Sequence, residues 1–157
     1  LWGKELSECE FISKSEEETK KLGRALGKVL PEGALLILKG DLGCGKTILT
    51  KGIASALGIP EDEVSSPSFT LVHEYEKLVH SDLYRLGSGD LSDLGLDELL
   101  TDKRIKVFEW GESLEGEEDA IVVECSDRGD YRVFKVKDPK GKICEKLKEI
   151  LEEKCQE

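Results

Sequence analysis

The sequence predicts an α/β fold whose mostly parallel central sheet is extended by antiparallel strands and carries helices on both faces. Three observations support it. Short apolar runs alternate with stretches of helical periodicity, the pattern of chains that lay helices across a parallel sheet. One apolar run, residues 34–38, passes through a glycine-rich turn straight into a helical stretch. Further along, extended segments come in pairs around short turns, which reads as the antiparallel extension. With 157 residues and no internal repeat or low-complexity linker, the chain is read as one domain spanning residues 1–157.

The elements follow in order. Residues 10–12 form a short strand. Ser15 followed by Glu18 is a capping box, and Leu22, Ala25, Leu26, Val29 and Leu30 recur at helical spacing, so an amphipathic helix covers residues 16–30. Pro31-Glu32-Gly33 ends it. The buried strand over 34–38 leads through the glycine-rich turn to a helix running to residue 57, with Gly58 as its C-terminal stop and Pro60 just beyond. Residues 70–75 and 79–84 are extended segments across a short turn, most simply an antiparallel hairpin. A loop rich in Gly, Ser and Asp at 87–93 precedes a short helix near 96–100. Residues 105–108 form a strand aimed at Glu109-Trp110, and residues 121–125 and 131–136 pair around Asp127-Arg128-Gly129-Asp130. Ile143, Leu147, Ile150 and Leu151 mark a closing helix.

The glycine-rich turn is Gly40-Asp41-Leu42-Gly43-Cys44-Gly45-Lys46-Thr47, which has the G-x-x-x-x-G-K-T spacing of a phosphate-binding P-loop and lies between a strand and a helix, as a P-loop must. Its glycines let the backbone curl until several amide N–H groups converge on one anion, and the following helix adds its positive end. Lys46 can then reach the β- and γ-phosphates of a nucleoside triphosphate, while the Thr47 hydroxyl is placed for a magnesium ion bridging them. Ile48 contributes through its backbone N–H. ATP and Mg2+ are the expected ligands.

Composition narrows the function classes. A formal charge of −11 opposes direct binding to nucleic acid, which normally requires clustered Lys and Arg. No stretch approaches the ~20 apolar residues that cross a bilayer, and the N-terminus lacks a secretion signal. The expectation is a cytoplasmic protein without a membrane partner. The five cysteines, Cys9, Cys44, Cys125, Cys144 and Cys155, form no C-x-x-C pair, and their odd number is expected to mean free thiols acting as small apolar residues. Cys44 has a second reading, as a thiol activated by the helix N-terminus and open to oxidation. Asn and Met are absent and Lys and Glu are abundant, a bias found in proteins from hot environments that the cysteine content partly opposes.

A P-loop alone does not define a reaction. Magnesium needs a second oxygen ligand and hydrolysis needs a group that orients water; such carboxylates sit at the C-terminal end of a strand beside the P-loop strand. Glu109, after the strand over 105–108, fits that placement best. Asp82 is the second candidate, on a hairpin able to fold over the γ-phosphate.

Together with the P-loop, three further blocks give the chain its resemblance: Ser66-Pro67-Ser68-Phe69-Thr70-Leu71-Val72, His80-Ser81-Asp82-Leu83-Tyr84-Arg85-Leu86 and Glu109-Trp110-Gly111-Glu112. In this order and spacing they resemble the TsaE (YjeE) P-loop ATPases of bacterial tRNA threonylcarbamoyladenosine synthesis. The resemblance implies a small ATPase acting with two partner proteins, TsaB and TsaD, which install threonylcarbamoyl on N6 of adenosine 37 in tRNAs reading codons that begin with A. It implies that the ATPase supports repeated turnover and does not itself perform the transfer, and that tRNA is held chiefly by the partners. By the same resemblance Lys46 and Thr47 bind phosphate and magnesium, Glu109 serves the magnesium site, and Asp82 is required for activity. Trp110 would lie beside the nucleotide or a partner surface, or be an ordinary buried tryptophan. The 66–69 segment resembles a switch loop that follows the γ-phosphate, with a rigid turn as the alternative. Arg132 resembles an arginine that approaches the nucleotide, with a surface strand position as the alternative.

The chain departs from the family pattern at Cys44, in place of the usual Ala, at Ile48, in place of a common Thr, and in a shorter turn between Tyr75 and His80. The first two leave the backbone cradle intact; the third alters the hairpin geometry. Other classes fit less well. A GTPase requires an N-K-x-D base reader, and no asparagine is present. A small-molecule kinase would bring an Arg-rich lid, whereas Arg24, Arg85, Arg104, Arg128 and Arg132 do not cluster in sequence. A nucleotide-dependent scaffold with incidental hydrolysis remains a non-enzymatic alternative.

Overall fold

The central strand β2 (Leu35–Lys39) is apolar at four successive positions and buried on both faces, as a strand inside a parallel sheet must be. Its alternation divides the core. Leu36 and Leu38 join Leu22, Leu26, Leu49, Ile53 and Leu147 on the helical side, while Leu35 and Ile37 join Val79, Phe108 and Ala120 on the other. The computed structural model describes residues 8–40, 43–64, 72–82, 98, 100–109 and 119–156.

Around β2 the sheet is assembled from β1 (Glu8–Ser13), β3 (Val72–Glu74), β4 (Leu78–Asp82), β5 (Ile105–Glu109), β6 (Ile121–Asp127) and β7 (Arg132–Lys137). The order is β1-β7-β6-β2-β5-β4-β3. The segment β6-β2-β5-β4 is parallel, and the pairs β1–β7, β6–β7 and β3–β4 are antiparallel. This is the expected mixed sheet. The expected hairpin is also present, but β4 does more than turn back on β3: its other edge pairs in parallel with β5. Asp82 therefore closes a strand within the parallel region, in register with Glu109.

Helices α1 (Glu16–Val29), α2 (Lys46–Ala56) and α3 (Lys142–Gln156) contribute to the larger core. On the opposite face Leu100, in a helical stretch, packs against the smaller cluster. At the start of α1 the Ser15 hydroxyl accepts from the Glu18 N–H at 3.1 Å, and three glutamates fill its first turn, where the helix dipole favours negative charge. Gly23 and Gly27 let α1 lie almost on the backbone of α2. A Cβ added to Gly23 would stand 2.9 Å from the Gly52 Cα, and one added to Gly27 2.8 Å from the Ile53 carbonyl oxygen. The helix that follows the P-loop is thereby held against α1 by close backbone contact.

The expectation of free thiols is overturned for four cysteines. Cys9 of β1 is disulfide-bonded to Cys144 of α3, and Cys44 of the P-loop to Cys125 of β6. The partners lie 135 and 81 residues apart in sequence. Only the sheet order, which sets β6 beside β2 and the edge strand beneath α3, brings them together. Among the described residues no helix is long and apolar enough to cross a membrane.

Candidate nucleotide site

The parallel strands end at one edge of the sheet, and the C-terminal ends of β2, β5 and β4 carry the P-loop, Glu109 and Asp82. In parallel sheets this edge, just beyond the strands, is where ligands bind. Leu38 pairs with Glu109, and Glu109 with Asp82, so the three strand ends stand side by side.

From β2 the chain enters Gly40 at φ 142° and reaches α2 through Gly45 at φ 118°, backbone conformations that a residue with a Cβ rarely adopts. Space reinforces the requirement. A Cβ on Gly40 would stand 2.7 Å from the Cys125 carbonyl oxygen, and one on Gly45 2.7 Å from Nη1 of Arg132. The loop thus leans on β6 and lies under the Arg132 guanidinium, which brings that arginine of β7 to the loop. The Lys46 side chain is buried, and its Nζ folds back to donate to the Gly40 carbonyl at 2.7 Å. Thr47 is half-buried in the first turn of α2. Cys44 is buried and cross-linked, so it serves as a covalent tie between the loop and β6.

Glu109 is 4 % exposed. It alternates with Ile105 and Val107, whose side chains join the helix-side core, so its carboxylate lies on the face covered by α2. There Oε2 meets Nε2 of His80 at 2.7 Å, with His80 fully buried. Edge-on to the His80 ring, at 6.5 Å between centroids, lies His73, which burial and then the neighbouring His80 hold below the ordinary histidine pKa. Sequence reasoning did not single out His80 as a site residue. Its spacing of two from Asp82 on an extended segment was the available signal, since such residues share a face. Asp41, Leu42, Trp110 and the 66–69 segment lie outside the described residues, as does the Asp82 side chain.

One cavity adjoins these features and another lies away from them. One of ≈ 160 Å³, lined by Ser13, Ser15, Tyr131 and Arg132 among others, lies between the start of α1 and the β6–β7 turn and shares Arg132 with the loop. Another of ≈ 500 Å³ opens at the far end of the sheet, by Ala34 and Ile121, and includes none of the candidate site residues.

The residues present fit a triphosphate and its cation. The loop has glycines where a Cβ would intrude, a lysine directed along its inner edge, a hydroxyl in the first helical turn, and a carboxylate at the neighbouring strand end.

Comparison with known proteins places the chain in a family. The family model for the threonylcarbamoyl adenosine biosynthesis protein TsaE matches residues 13–134. Among curated relatives, a TsaE protein of Treponema pallidum is 41 % identical over 110 residues, covering 68 % of this chain and 81 % of that one. The TsaE protein of Bacillus subtilis is 37 % identical over 114 residues, covering 70 % of this chain and 71 % of its own length. The crystal structure of Bacillus subtilis YdiB superposes with a TM-score of 0.74 at 28 % identity, covering 90 % of this chain and 95 % of that one. The chain belongs to the TsaE family.

Proposed function

We propose that this chain is a magnesium-dependent ATPase, cytoplasmic and of one domain, that serves the synthesis of threonylcarbamoyladenosine at position 37 of tRNAs reading codons that begin with A. It would act beside TsaB and TsaD. One observation carries the reading: Glu109 ends the strand adjacent to the P-loop strand and faces the side on which Lys46 and α2 lie.

The chemistry follows from charge placement. Loop amides and the α2 N-terminus would hold the β- and γ-phosphates, and Lys46 would exchange the Gly40 carbonyl for phosphate oxygens. Thr47 and Glu109 would hold a magnesium ion, which when bound would neutralise charge on the transferred phosphoryl group. Asp82, one strand further out, is the residue proposed to orient the attacking water. Arg132, over Gly45, would add positive charge beside the phosphates. A protein of charge −11 is suited to driving a complex whose tRNA is gripped by other subunits.

The test is to mix the chain with purified TsaB and TsaD and follow ATP consumption together with tRNA modification. Turnover should be slow alone and rise when the partners close the site, and a non-hydrolysable ATP analogue should not sustain repeated modification. Equal ATP consumption with and without the partners, or repeated modification with the analogue, would refute the proposal.

A further inference from the structure

We propose that His80 is a positioning residue for Glu109: its buried imidazole donates the hydrogen bond that fixes which carboxylate oxygen faces the phosphate loop. This rests on the ATPase reading for its purpose, though not for its geometry.

The geometry is specific. His80 and Glu109 stand on adjacent parallel strands, and both side chains occupy the helix-side face of the sheet. Nε2 and Oε2 are 2.7 Å apart, with the two side chains 0 % and 5 % exposed. A carboxylate that is to hold a cation accepts hydrogen bonds and donates none, so in this proposal Nε2 carries the hydrogen. Among the described residues Nδ1 has no hydrogen-bond partner. The tautomer protonated at Nε2 leaves a bare lone pair there, whereas a hydrogen at Nδ1 would be a buried donor with nothing to receive it. The tautomer protonated at Nε2 satisfies the ring at its carboxylate end and leaves only an unpaired acceptor, not a stranded donor, at Nδ1.

The consequence falls on Glu109. A glutamate at a strand end has three side-chain torsions to fix before it can serve a cation. Tying Oε2 to a ring that is itself immobilised leaves Oε1 to face the loop, which is the way an outer hydrogen bond commonly orients a metal-binding carboxylate. The complete burial of His80 also removes it from direct contact with nucleotide or water.

Two variants separate positioning from packing. His80→Gln keeps an N–H at similar reach, and His80→Leu fills space without one. The first measurement is the 15N spectrum of the His80 ring in the unmodified protein, which should show Nε2 protonated and Nδ1 bare. The second is Mn2+ binding in the presence of ADP, followed by electron paramagnetic resonance. His80→Leu should weaken it about 10- to 100-fold, the usual effect of losing an outer-shell partner, with metal-free ADP binding unchanged, and His80→Gln should recover most of the loss. A bare Nε2, Mn2+ binding in His80→Leu equal to the parent, or equal losses in both variants would overturn the proposal. If the unmodified protein binds no Mn2+ with ADP, the ATPase reading fails separately, and the ring spectrum alone decides the orientation of the pair.

Discussion

The Lys46 ammonium donates to the carbonyl of Gly40 at 2.7 Å, so the loop holds its own lysine across the space where phosphates are proposed to bind. That contact keeps a buried charge solvated by protein before nucleotide arrives. Replacing Lys46 by Ala removes the charge meant for the β- and γ-phosphates while leaving the glycine conformations unaltered. Hydrolysis should fall by about 10²- to 10³-fold, the usual loss for one transition-state donor, with thermal stability nearly unchanged. Steady-state ATPase assays with the partner subunits, paired with a thermal melt, check both halves.

Glu109→Ala is expected to separate binding from turnover. The phosphate cradle is backbone and lysine, so ADP should bind without magnesium much as before. The additional affinity that magnesium confers, and most of the hydrolysis, should disappear. Calorimetry with ADP in the presence and absence of Mg2+ reads the difference, and normal magnesium-dependent turnover in Glu109→Ala would remove this residue from the site.

The α1–α2 crossing predicts a different defect. A Cβ added to Gly52 would meet the Gly23 Cα at 2.9 Å and the Arg24 backbone nitrogen at 3.0 Å, atoms that no side-chain rotation can move. Gly52→Ala should force the helices apart, costing about 1–3 kcal/mol. Because α2 begins at Lys46, the same shift should weaken nucleotide binding. Urea unfolding reports the first effect and ADP titration the second.

What the sequence revealed, and what it hid, divides by distance along the chain. The strand, P-loop and helix around Lys46 are contiguous, so motif spacing and periodicity were enough to place them. The same holds for the Ser15 cap and for Glu109, which needed only the end of an apolar strand. Asp82 lies on the hairpin that the two extended segments predict, yet its parallel pairing with β5 follows from a crossover that no local pattern encodes. The cysteine pairs and the His80–Glu109 contact were hidden for the same reason. Each joins residues whose proximity is set by strand order.

Acid sensitivity should follow from the cluster that fastens the β3–β4 turn to the start of β5. Arg104 donates to Asp102, to Glu74 and to the Tyr75 carbonyl. Its guanidinium holds the Asp102 carboxyl well below the ordinary value of 3.8. Below 3.8 the unfolded chain therefore takes up a proton that the folded chain still refuses. The stabilisation is complete above that pH and is lost as pH falls through the folded value. Urea midpoints measured from pH 5 downward should decline more steeply for the parent than for Asp102→Asn, which has no carboxyl there to titrate.

The two disulfides make the last prediction. Cys9–Cys144 ties the edge strand β1 to α3 at a separation of 135 residues, and Cys44–Cys125 ties the P-loop to β6 across 81. A cross-link restricts the unfolded chain more as the loop it closes grows, and each is expected to contribute about 2–4 kcal/mol. Cross-links of this kind persist inside cells chiefly in proteins from very hot environments, which agrees with a chain lacking Asn and Met. Adding a strong reductant should lower the urea midpoint. The double substitution of Cys9 and Cys144 by Ala should lower it without a change in ADP affinity, because this pair joins β1 to α3 and not the loop to the sheet. The double substitution of Cys44 and Cys125 should also leave the cradle usable, since the Gly40 and Gly45 conformations do not depend on sulfur, but should free the loop from β6 and speed hydrogen exchange at its amides. An unchanged midpoint in reductant, with thiol counting that finds five free sulfhydryls in the oxidised protein, would show that the cysteines had been free all along.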